Sequence, residues 1–113
     1  MEAELKFEFK GKEYKMSLPN VGQYMMMEVL RQRYTDGQYG AMLKGDYLSQ
    51  EATYMVEMRI IMQVLCPELT SDLKVDFVDL GLKDYTELRE LYMEKIRPFI
   101  NDMAAMLSTV PKK

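Results

Sequence analysis

LKFEFKGKEYKMSL, residues 5–18, decides how the chain begins to fold. Leu5, Phe7 and Phe9 alternate with Lys6, Glu8 and Lys10, and beyond Gly11 the alternation resumes with Tyr14, Met16 and Leu18 on one side and Lys15 on the other. A period of two marks a half-buried strand, so two strands joined at the glycine predict a hairpin. Taking Gly11-Lys12 as a two-residue turn with glycine first, the type II′ preference, pairs Lys10 with Glu13, Phe9 with Tyr14, Glu8 with Lys15 and Phe7 with Met16. Each pair is then apolar on apolar or opposite in charge, and a slip of one residue undoes both patterns. An isolated hairpin is marginal in water. Its face of Leu5, Phe7, Phe9, Tyr14, Met16 and Leu18 therefore requires cover from helices or from another chain.

Downstream, the period changes to that of a helix. Pro19 ends the second strand, and Asn20 with Gln23 has the spacing of a capping box for a helix to about Arg33 or Tyr34, closed by Asp36-Gly37. Val21, Tyr24, Met25, Leu30 and Tyr34 mark its apolar face. The run Met25-Met26-Met27 puts methionine on more than one side, which a one-sided core does not need. Gln38 to Lys44 is a short helix-compatible segment limited by Gly40 and Gly45. Ser49 is placed to cap a central helix, about Gln50 to Leu65, in which Met55, Met58, Met62 and Leu65 recur at three- and four-residue spacing. Val56, Ile60, Ile61 and Val64 widen that surface beyond one stripe, so this helix is either central or covered by a second chain. Pro67 stops it, and Glu68 to Leu82 reads as loop with one short turn at Phe77-Val78. Asp84 and Glu87 then open a last helix from about Tyr85 to Leu107, carrying Leu88, Tyr92, Ile96, Phe99, Met103 and Met106. Proline disfavours helix at Arg97, so a kink or break is expected at Pro98.

The fold class expected is mainly α with an N-terminal β-hairpin (α+β): a small bundle of three to four helices packed on the hairpin, its last helix kinked at Pro98. The 113 residues suffice for a single domain, with the hairpin at 1–18, a helical part at 20–108 and a flexible tail at 109–113.

Composition narrows the chemistry. Twelve residues are methionine, one is cysteine, and histidine and tryptophan are absent. Without histidine the commonest general base and metal ligand is missing, and with it the Ser-His-Asp and Cys-His arrangements and the usual zinc sites. Asp72, Asp76, Asp79 and Asp84 are interrupted by Leu73, Val75, Phe77 and Val78, which does not match a calcium loop. Gly37 and Gly40 lack the Lys-Ser/Thr ending of a phosphate loop. Cys66 lies in an apolar run and is expected to be a buried, inert thiol. An enzyme is not expected, nor a cofactor or metal.

Fifteen basic and eighteen acidic residues, interspersed, give a net charge of −3 and no basic face for nucleic acid. The acidic start lacks a signal-peptide core, and no apolar stretch approaches the roughly 18 residues of a membrane span. What remains is apolar surface. Methionine re-packs around varied partners and tyrosine offers a large apolar body with a polar tip, so this surface is either absorbed by the core or shared between chains.

The order of elements adds a resemblance. The hairpin turn Phe9-Lys10-Gly11-Lys12-Glu13-Tyr14, followed by Pro19-Asn20-Val21-Gly22-Gln23-Tyr24 at the start of a helix, and Tyr92 with Pro98-Phe99 after an Asp-rich linker, resembles the tail assembly chaperones of long-tailed bacteriophages. Relatives often carry Pro-Trp and a further Trp where this chain has Pro98-Phe99 and Met103. The resemblance implies a mostly helical protein of the host cytoplasm that binds the hydrophobic tape measure protein, keeps it soluble before the tail tube polymerises, and recruits tail tube subunits. It also implies absence from the finished virion. Met58, Met62, Tyr92, Phe99, Met103 and Met106 are the candidate partner-binding residues. A structural tail or neck component using the same apolar surface permanently is the alternative, and unsatisfied apolar area makes a homo-oligomer a further candidate state.

Overall fold

The computed structural model describes residues 4–108, with the side chains of 103, 104, 106, 107 and 108 outside the description. The chain is mainly helical with an N-terminal hairpin: strands β1 (Glu4–Phe9) and β2 (Lys12–Ser17), then helices α1 (Val21–Tyr34), α2 (Tyr39–Leu43), α3 (Tyr47–Leu65) and α4 (Pro67–Leu73), a 3₁₀ turn (Phe77–Asp79), α5 (Leu82–Leu91), a π-helical turn (Tyr92–Ile96) and α6 (Arg97–Ser108). It divides into two compact units. One takes in the hairpin and the chain from Val78 onward, and the other is Pro19–Phe77.

The hairpin forms in a register different from the expected one. Phe9 pairs with Lys12, Phe7 with Tyr14 and Leu5 with Met16. The turn is Lys10-Gly11, one position earlier than Gly11-Lys12, and both residues have positive φ, 51° and 79°. That is the requirement of a type I′ turn, whose twist matches the right-handed twist of the strands. Moving the turn by one residue moves each partner by two, so the faces survive: Phe7, Phe9, Tyr14 and Met16 are all buried. The charge pairing does not survive directly. Glu8 now faces Glu13 and Lys6 faces Lys15, and the opposite charges meet on the diagonals instead. Phe7 and Tyr14 stack at 5.8 Å between ring centroids, and Lys10 reaches across to donate to Asp84 Oδ1 at 2.5 Å.

In the same unit, Leu88, Leu91, Tyr92, Ile96 and Phe99 are buried along α5, the π turn and α6. The helix starts at Leu82 after Gly81, three residues before the expected opening, and Asp84 is an ion-pair partner rather than a cap. The chain passes Pro98 without leaving helical geometry. Its irregularity falls one turn earlier, at Tyr92–Ile96, where the Arg97 N–H reaches back to the Tyr92 carbonyl. Proline cannot donate and its ring crowds the carbonyl four residues back, and a widened turn relieves both.

In the other unit, α3 is the element against which α1, α2 and α4 pack. It begins at Tyr47 because Asp46, not Ser49, is the cap: the Asp46 carboxylate accepts from the Ser49 N–H at 3.0 Å. Met58, Ile60, Ile61, Met62 and Leu65 are buried on it, together with Thr53, whose hydroxyl donates to the Ser49 carbonyl. The segment expected as loop after Pro67 holds α4. Proline at the first helical position loses no hydrogen bond, so it starts this helix as well as ending α3, and Lys74 closes it with φ 60°. Leu69 on α4 and Cys66 at the junction are buried.

Candidate functional site

Helix α1 is the element whose apolar residues exceed what its packing uses. Its start is fixed by the expected capping box: Asn20 Oδ1 accepts from the Gln23 N–H at 2.8 Å, and Gln23 Oε1 accepts from the Asn20 N–H at 3.0 Å. At about 100° per residue, Met27 and Leu30 fall on one side of this helix and Val21, Met25 and Val29 on the other. The first pair is buried, whereas Val21, Met25 and Val29 are 78%, 63% and 49% exposed. Tyr24 and Met26 flank that ridge and are also exposed. The single face expected from Val21, Tyr24, Met25, Leu30 and Tyr34 is thus two faces. Leu30 belongs to the core, Tyr34 is half-buried, and the other three look outward.

A polar network sets this rotation. Arg31 leaves α1 on the buried side and donates from Nε to Glu57 Oε1 at 2.5 Å and from a terminal nitrogen to Oε2 at 3.2 Å. The Tyr39 hydroxyl of α2 donates to the same Oε1 at 2.7 Å, and the Arg31 guanidinium lies 5.8 Å from the Tyr39 ring centroid. Burial works against the Arg31 charge, but the hydrogen bonds and charge of Glu57 more than offset it and carry its pKa above the ordinary arginine value. A bidentate pair of this kind is geometrically demanding. It fixes which side of α1 faces α3, and so which side is left to solvent. Apolar side chains are exposed elsewhere in this unit as well, at Leu43 on α2 and at Tyr47 and Leu48 on the first turn of α3.

The six residues expected to meet a partner lie elsewhere. Met58 and Met62 on α3, Tyr92 on the π turn and Phe99 on α6 are each under one-tenth exposed and belong to the core. The side chains of Met103 and Met106, on α6, lie outside the described ones. The reason is general: a stripe at three- and four-residue spacing is the face a helix packs on, so the regularity that singled these residues out marks burial. The ridge on α1 had its own signal, the run Met25-Met26-Met27, which cannot lie on one face. Only Met27 of the three is buried.

Cys66, the lone thiol, is buried, and burial pushes its pKa up, away from the reactive thiolate. Among the described residues no helix is long and apolar enough to cross a membrane. The arrangement offers an apolar ridge with methionine at its centre. No protein-family model, curated protein or solved structure matches the chain.

Proposed function

We propose that this chain is a tail assembly chaperone of a long-tailed bacteriophage, which holds the hydrophobic, helical tape measure protein in solution in the host cytoplasm until the tail tube polymerises. The observation that carries the proposal is the outward ridge Val21-Met25-Val29 on α1, with Tyr24 and Met26 beside it. Apolar residues at i, i+4 and i+8 present a line about 12 Å long, the form in which one helix meets another. Methionine at its centre adapts to clients of varied sequence. The size of the ridge also supports the role. Five exposed apolar side chains amount to roughly a few hundred Å², the scale of an interaction site, and fall short of the about 800 Å² a side used by stable complexes. Each contact is then weak and reversible, as a chaperone that must release its client requires, and a long client supplies many such contacts.

Co-expression with the tape measure protein of the same phage is expected to yield a soluble complex where the client alone is insoluble. Failure along the client's whole length removes the proposal. Mass spectrometry of purified particles separates it from a permanent structural role: the chaperone is absent from the virion, and stoichiometric presence contradicts it.

A further inference from the structure

We infer that a cavity of about 300 Å³ at the end of α1, lined by α3 and α4, binds a carboxylate borne on an acidic side chain of a partner polypeptide, with a neighbouring apolar side chain seated against Met62. The cavity is walled by Tyr34, Arg59, Gln63, Asp76 and Phe77 around Met62. Its distinguishing member is Arg59. The Arg59 guanidinium carbon lies 3.8 Å from the centroid of the Tyr34 ring, a face-on stack that holds the group in place and uses none of its N–H donors. Tyr34 is itself held, its hydroxyl donating to Gln63 Oε1 at 2.6 Å. That bond leaves the Gln63 NH₂ group as a second donor on the same wall.

The chain contains its own standard of comparison. Arg31 also lies over a tyrosine ring, that of Tyr39, and its donors are taken up by Glu57 and Glu28. Arg59 stacks more closely, yet among the described residues it has no hydrogen bond and no carboxylate within 4.0 Å. A pre-positioned guanidinium with five open donors matches a carboxylate, which accepts two of them in parallel. The cavity's other contents restrict the class further. Met62 and the half-buried Phe77 ring favour an apolar group beside the acid, and Asp76 at the edge weakens binding of any anion, a multiply charged one most. An acidic residue adjacent to an apolar one in a protein segment meets each condition. The inference stands on this cavity alone and does not depend on the chaperone assignment.

The test uses the intact chain and three small probes, followed by NMR at the Arg59 Nε–H and the Met62 methyl. Acetyl-Glu-Leu-amide carries the side-chain acid, acetyl-Gln-Leu-amide is its neutral counterpart, and acetyl-Gln-Leu with a free C-terminus carries a terminal carboxylate. The first is expected to move both signals saturably and to bind about tenfold more tightly than the neutral peptide, the worth of one charge-assisted fork. Arg59→Gln removes that difference, and Asp76→Asn, which touches neither Arg59 nor the stack, strengthens the acidic probe about two- to threefold by removing a screened like charge. Arg59→Lys, retaining charge without the fork, falls between wild type and Arg59→Gln, and so reports on the site even if Arg59→Gln perturbs the fold. Equal binding of the acidic and neutral amides, or shifts that bypass Arg59 and Met62, overturns the site. Tighter binding of the free C-terminal acid than of acetyl-Glu-Leu-amide overturns the side-chain assignment. No client enters the experiment, so its failure and failure of the co-expression test are distinguishable.

Discussion

Glu57 is a carboxylate in an interior, and its neighbours show how that is sustained. Three donors from two other helices meet its two oxygens, so the charge is both paired and hydrogen-bonded. The asymmetry of such pairs gives a prediction. Arg31→Ala strands the carboxylate and costs about 3–5 kcal/mol, whereas Arg31→Met with Glu57→Leu removes both charges and costs much less. Urea unfolding of Arg31→Met, Glu57→Leu and the double variant checks it, and additive losses would refute the account of the pair. Cys66 gives a second prediction at this scale. Its raised pKa lowers the thiolate fraction at any pH below it, so alkylation by iodoacetamide at pH 8 should be slower than that of glutathione. The rate should rise only at higher pH than for the free thiol, and denaturant should restore ordinary reactivity. A native rate equal to glutathione's contradicts both the burial and the shift.

Among the elements, those with strong local signals were legible and those set by sterics were not. The capping box of Asn20 and Gln23 and the end of α1 at Tyr34 follow from local chemistry and appear where the sequence places them, and the two strands appear one residue earlier. The hairpin register differs from the expected one because either primed turn suits the strand twist, and the type I′ turn at Lys10-Gly11 keeps the buried faces while giving up direct charge pairing, at the cost of a lysine at positive φ. Helix α4 is hidden in the sequence because Pro67 both ends α3 and opens α4. The start of α3 was missed for a related reason, since Asp46 and Ser49 are both acceptable caps and only one fits. Gly45 supplies the missing constraint: a Cβ there would lie 2.4 Å from the Ser49 Cβ. The residue before the cap must therefore be glycine for the first turn of α3 to close. Gly45→Ala is expected to destabilise the protein by about 1–3 kcal/mol through that overlap, read as a lowered urea midpoint. An unchanged midpoint would show that the turn can shift freely.

For the whole molecule, apolar excess was legible in the sequence and its location was not. Twelve methionines and the absence of histidine point to binding, and the best periodic stripes read as the binding surface. Met58, Met62, Tyr92 and Phe99 went into the core because regular stripes are what helices pack on. Val21, Met25 and Val29 are left outside, on the far side of a helix whose rotation is fixed by Arg31 and Glu57, and Met55 of the α3 stripe is exposed as well. Core and surface methionines should therefore respond differently to charge. Met58→Glu buries a carboxylate without a partner and should unfold the protein. Met25→Glu places the same group in solvent and should leave folding intact.

The most direct measurement is co-purification of a tape measure protein with three forms of the chain, each also followed by thermal unfolding. The wild type should carry the client into the soluble fraction. Met25→Glu paired with Val29→Glu should lose the client by tenfold or more, about the 1.4 kcal/mol or greater that central interface residues contribute, while its melting temperature stays that of the wild type. Undiminished co-purification by the fully folded Met25→Glu, Val29→Glu variant would contradict the claim that this ridge holds the client.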